Sequence, residues 1–136
     1  MRSRIKTPES RRQKQEAEAR IMNIEDIRSY CLGLPGVTED IKWGNDLCFC
    51  IAEKMFCATR LKGPLQVSFK VTDEEFDEVS NSDGFVPAPY VARYKWVLLE
   101  NPDKVSKKKL LAYITQSYEL VKMKLPGKAL KKYGLL

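Results

Sequence analysis

The stretch Val86 to Glu100, VPAPYVARYKWVLLE, constrains the fold more than any other part of the chain. Pro87 and Pro89 exclude a helix at its start, because each ring fixes φ and removes an N–H donor. From Tyr94 the residues alternate. Tyr94, Trp96 and Leu98 point one way, and Arg93, Lys95 and Val97 the other. The spacing predicts a strand with one aromatic face and one partly basic face. Such a strand either meets a nucleic-acid backbone or covers a helix. Trp96 and Leu98 are expected to be buried against the last helix, near Ile114, Tyr118 and Val121.

A chain of 136 residues is the size of one domain, and such a domain buries roughly two-thirds of its unfolded surface without staples. Hydrophobic residues make up 43%, and the mean hydropathy is −0.40, which suits a soluble globule. No apolar run approaches the ~20 residues of a membrane span. No signal-peptide core follows Met1, so a cytoplasmic location without membrane contact is the expectation. Histidine is absent. That removes the commonest general base, histidine-containing metal sites and any Ser-His-Asp or Cys-His mechanism. Cys31, Cys48, Cys50 and Cys57 contain no C-x-x-C and read as small buried hydrophobes. A four-thiolate metal site is the alternative; no metal or cofactor is expected.

Charge is distributed unevenly. Residues 1–21 carry seven bases and three acids, and residues 104–136 carry nine lysines and one acid. The net charge of +6 thus consists of +4 and +8 at the ends and −6 between them. Position therefore says more than the isoelectric point. The expected organisation is a basic N-terminal extension over 1–21, a folded domain over 22–126 and a basic tail over 127–136. The extension has no hydrophobic stripe and is expected to be a flexible arm or a solvated helix.

Within the domain, Asn23 caps a first helix, with Asp26 three residues on, and Ile24, Ile27 and Cys31 form its stripe. Gly33 and Leu34-Pro35-Gly36 end it. Val37 to Asn45 reads as a loop, with Trp43 tucked over the sheet. Leu47–Ala52 and Met55–Arg60 read as a hairpin turning at Glu53-Lys54, and Leu65–Lys70 as a third strand after a turn at Lys62-Gly63-Pro64. Thr72 and Glu75 form a capping box for a second helix that carries Phe76 and Val79. Two extended segments follow, at Phe85-Val86 and Arg93–Leu99. A last helix starts at Ser106 and places Leu110, Ile114, Ser117, Tyr118, Val121 and Leu125 on one stripe. The order α-β-β-β-α-β-β-α predicts a two-layer α+β domain, a mostly antiparallel sheet covered by helices.

The chain resembles the MmcQ/YjbR family of small bacterial proteins. The resemblance is carried by Tyr30 to Asp40 (YCLGLPGVTED), Lys54-Met55-Phe56, Ser68-Phe69-Lys70, Pro87 through Trp96, Ser117 to Val121 (SYELV) and Leu125-Pro126. It implies a fold similar to frataxin-like and secretion-chaperone-like domains, and DNA binding through winged hairpins. The family's pattern Pro-Gly-Tyr-His-Met-Asn-Lys-x-His-Trp is matched here by Pro87 and Trp96, with Arg93 in place of the lysine. Tyr90, Ala92 and Lys95 stand where the first histidine, the asparagine and the second histidine would be. The resemblance carries over a basic contact at Arg93, and no catalytic or metal role.

Two functional readings come from these residues. The leading one is a non-enzymatic DNA-binding protein, with Lys54, Lys62, Lys70, Arg93 and Lys95 on phosphates and Lys107, Lys108 and Lys109 as a second cluster. Those three lysines fall in a helix's first turn, where the macrodipole disfavours cations. The alternative is a protein- or peptide-interaction module anchored by Trp43, Tyr90, Tyr94 and Trp96, or using a sheet edge. A monomer is expected in either case. An enzyme is disfavoured: Glu39-Asp40 is the best carboxylate pair, and no phosphate loop or metal-ligand spacing accompanies it.

Overall fold

The computed structural model describes residues 23–135. The expected extension over 1–21 and its boundary at Met22 lie outside these residues. Ten helices and strands are formed among the described residues. They are α1 (Ile24–Leu32), β1 (Val37–Lys42), β2 (Asp46–Ile51), β3 (Lys54–Arg60), β4 (Val67–Lys70), α2 (Phe76–Ser80), β5 (Phe85–Pro87), β6 (Trp96–Leu99), α3 (Lys107–Lys122) and α4 (Gly127–Lys132). The strands make one six-stranded antiparallel sheet in the order β1-β2-β3-β4-β6-β5. The α+β architecture and the expected element order are both present, with β1 and α4 added. No helix among the described residues is long and apolar enough to cross a membrane.

Local signals start the helices as read. The Asn23 side chain accepts from Asp26 N–H, and the Asp26 carboxylate accepts from Asn23 N–H, a reciprocal box. Thr72 and Glu75 exchange the same two bonds, although only Phe76–Ser80 goes on as helix. Ser106 caps α3 by accepting from Lys109 N–H.

The helices cover one face of the sheet. Ile27 and Cys31 of α1, and Leu110, Ile114 and Tyr118 of α3, share a core with Phe49, Phe69, Val97 and Leu99. Tyr113 stacks on Phe69 at 5.2 Å between centroids, and Tyr118 meets Phe56 edge-on at 5.4 Å. Fully burying each large apolar side chain contributes roughly 1.5–3 kcal/mol. Ser117 stitches α3 to the sheet: its hydroxyl accepts from Lys70 N–H at 2.9 Å and donates to the Phe56 carbonyl at 2.6 Å. Those two backbone groups lie just beyond the last β3–β4 register pair, Cys57 with Phe69. The hydroxyl thus replaces a missing ladder bond.

Several expectations are corrected. Val37–Lys42 is the edge strand β1, not a loop. Trp43 is not tucked over the sheet; it is 75% exposed in the β1–β2 turn. The β2–β3 turn consists of Ala52 and Glu53, both at positive φ, and Lys54 is already in β3. Leu65 and Gln66 precede β4 rather than belonging to it. The alternation through Tyr94 is not a strand. Ala92–Tyr94 is a 3-10 turn, Lys95 is left-handed at φ 67°, and β6 starts at Trp96. Trp96 is buried, but on the sheet face away from the helices; Val97 and Leu99 are the β6 residues that belong to the core containing Ile114 and Tyr118. Within 127–136, Gly127–Lys132 is helical.

Candidate functional site

The face of the sheet away from the helices holds a groove of about 650 Å³. Its floor follows from register. Cys48, Ala58, Ser68 and Leu98 are successive partners across β2, β3, β4 and β6. Side chains alternate along a strand, so these residues share the face opposite the core residues Phe49, Phe69, Val97 and Leu99. Ala58 and Ser68 are small and lie in the middle of the row. The sheet is therefore hollow there and built up around the hollow. Trp96 and Met55 rise at one end of the floor.

Two exposed aromatics form the rim. Trp43 projects from the β1–β2 turn, and Tyr90, 97% exposed, from the connection between β5 and β6. Both have a left-handed backbone, with φ of 53° and 70°. For residues with a Cβ this conformation costs of the order of 1–2 kcal/mol. Ala88 holds the Tyr90 loop in place through its N–H, which donates to the Trp96 carbonyl at 3.1 Å. Backbone strain at bulky exposed residues around a concavity is a mark of a functional surface.

The anchors Trp43, Tyr90 and Trp96 thus meet at one groove. Tyr94, half exposed, does not line it; its ring carries Arg93, whose guanidinium carbon lies 4.8 Å from the centroid. The basic candidates do not converge. Lys54 begins β3 and Lys62 follows its end, both exposed, ~20 Å apart along a seven-residue strand. Lys70 is half-buried, and its ammonium donates to the Tyr94 carbonyl at 2.5 Å. Burial first, and then Lys124, pull its pKa down. Arg93 and Lys95 do not share a strand face, because one lies in the 3-10 turn and the other in the left-handed residue after it. Lys95 sits 5.1 Å from the centroid of Phe76. Lys107, Lys108 and Lys109 are exposed at the start of α3, eight to ten residues before Ser117. At 1.5 Å rise per residue they stand roughly 12–15 Å from the Lys70 contact.

The cysteines are all free and buried. Cys31 and Cys57 belong to the helix-side core, whereas Cys48 and Cys50 lie on β2 positions of the other face. The sheet separates the two pairs, so the four thiols form no common ligand set. Burial pushes the Cys48 thiol up to about 11. Glu39, half of the best carboxylate pair, is held by Arg28 through two bonds of 2.8 and 2.7 Å. Those bonds hold its pKa below the usual carboxylate range.

Sequence reasoning missed the groove itself and its polar lining, Asn45, Asp46, Arg60 and Gln66. The signal was the pair of small residues Ala58 and Ser68 at strand positions facing away from the helices, which has meaning only once the register is known.

Comparison with known proteins places this geometry. No protein of curated function matches the chain. Its fold is similar to the crystal structure of a Deinococcus radiodurans protein with a DUF419 domain. The TM-score is 0.76 and the identity 25%, over 85% of this chain and 91% of that one. A Pseudomonas syringae protein shares the fold with a TM-score of 0.63 and 16% identity, over 73% of this chain and 98% of that one. The YjbR family model matches residues 32–120, from the end of α1 to the last turns of α3, and so spans the whole sheet and every strand around the groove. The chain belongs to the YjbR family.

Proposed function

We propose that the protein is a non-enzymatic binding module whose working surface is the groove on the open sheet face. The observation that carries this reading is the pair of strained, exposed aromatics, Trp43 and Tyr90, at the rim of a trough floored by Ala58, Ser68 and Leu98. A soluble domain has no folding reason to hold two large aromatics outward in left-handed backbone. Aromatic rims around an apolar floor suit a ligand that is itself apolar and flat. Among the described residues, the groove's charged lining consists of Asp46 and Arg60, a pair that does not make a cluster suited to acid–base chemistry.

Amide chemical-shift mapping with indole as probe tests the reading. Shifts centred on Ala58, Ser68 and Leu98, and lost in Ala58→Leu, support it. Shifts confined to other surfaces overturn it. DNA binding is the second reading, favoured by the exposed lysines at both ends of β3, Lys54 and Lys62. Titration with labelled duplex DNA at two salt concentrations separates the two. Phosphate binding weakens steeply with salt, and Lys54→Glu and Lys62→Glu reduce it for all sequences alike.

A further inference from the structure

The groove differs from end to end. Trp96 and the Ala88–Val91 segment make one end apolar, and Asp46, Arg60 and Gln66 make the other polar. Lys42, Asp46 and Arg60 are successive register partners across β1, β2 and β3, so two cations flank one carboxylate. The row is net positive. Arg60 is the cation that lines the groove. Its Nε donates to the Pro64 carbonyl at 2.7 Å. Its guanidinium also packs on Gly63, where an added Cβ would lie 3.3 Å from Cζ. These contacts set the plane of the guanidinium. The ion pairs among the described residues are Arg28 with Glu25 and Glu39, and Lys104 with Asp83; Arg60 has none, even with Asp46 opposite in register.

A guanidinium oriented by backbone contacts and without an ion pair among the described residues, at the end of an apolar trough, is a receptor for a carboxylate. Pre-orientation lowers the entropic cost of capturing one. We propose that the groove binds a small monocarboxylate with a flat apolar body. The carboxylate pairs with Arg60, and the body lies over Ala58 and Ser68 toward Trp96, between the rings of Trp43 and Tyr90. The volume of about 650 Å³ lies in the range of small-molecule sites, roughly 300–1,000 Å³. This proposal rests on the binding-module reading and adds the ligand's charge and size to it.

The test uses 4-phenylbutanoate, the neutral 4-phenylbutanol and the cationic 4-phenylbutylamine, titrated into the full chain. Both tryptophans of the chain line the groove, so tryptophan fluorescence reports occupancy. The carboxylate is expected to bind about tenfold tighter than the alcohol, as a charge-assisted bond warrants, and the amine most weakly. Arg60→Gln should lower the carboxylate to the level of the alcohol. If that variant loses its fold, the ranking of the three probes on the wild-type chain still decides. Equal affinity for all three overturns the carboxylate assignment and leaves the groove as a binding site. Probe binding that survives Ala58→Leu, or no binding to the folded chain, overturns the groove as well. Tighter binding of an end-blocked, uncharged aromatic peptide than of 4-phenylbutanoate overturns the small-ligand assignment.

Discussion

The two faces of the sheet are built from the same strands and have opposite designs. On the helix side, Phe49, Phe69, Val97 and Leu99 are fully buried in the core they share with residues of α1, α2 and α3. On the other side the central positions are Ala58 and Ser68, and the bulky groups stand at the rim. One face fills its volume with side chains; the other leaves about 650 Å³ open. Close packing is what a core needs, and an unfilled hollow stabilises nothing by itself. The helix face thus supports the fold, and the other face keeps a concavity that core packing does not require.

Substitutions on each face test that division. Phe69→Ala should have the largest effect, a loss of about 3–5 kcal/mol in denaturant unfolding, because it opens a cavity beneath Tyr113. Trp96→Ala should cost less, about 2–3 kcal/mol, since its ring borders an open groove. Equal losses at the two positions would erase the distinction between the faces. Ser117→Ala should cost about 1–3 kcal/mol by stranding Lys70 N–H and the Phe56 carbonyl. Hydrogen exchange should quicken at Lys70 and leave β1 untouched. Trp43→Ala should move stability by no more than about 0.5 kcal/mol while weakening probe binding. A large destabilisation there would make Trp43 a structural residue.

A pH experiment sharpens the picture further. The Cys48 thiol is raised from its ordinary value of 9.0 to about 11 by burial. The unfolded chain releases that proton first. Stability should therefore fall as pH rises above about 9, and this contribution should level off once about 11 is passed. Cys48→Ala should flatten that slope in a comparison of unfolding midpoints.

Much of the fold was legible because local chemistry and tertiary structure agree. The Asn23 and Thr72 boxes, the β2–β3 hairpin and the α3 stripe each have a sequence signature. Strand β1 did not, since VTEDIK shows no apolar alternation and becomes extended by pairing with β2. Tyr94 and Lys95 misled for the opposite reason. Their alternation mimics a strand, but Lys95 adopts positive φ, and a lysine gives no warning of that. The burial of Trp96 was foreseen and its side was not, because the residues on both faces of β6 are apolar. The groove depends on Ala58 and Ser68 becoming neighbours, which only strand register determines.

The strands at the two margins of the sheet carry a consequence for growth. At one margin β5 is three residues long and ends in Pro87, which has no N–H to offer a further strand. At the other, β1 presents Glu39, Asp40 and Lys42, with Glu39 clasped by Arg28 of the adjacent helix. A seventh strand arriving there would have to break that clasp and strip water from the charges beside it. Both borders therefore discourage edge-to-edge polymerisation. An apolar trough is a hazard for fibre formation at high concentration, and here it lies on a sheet that is closed to extension at both ends.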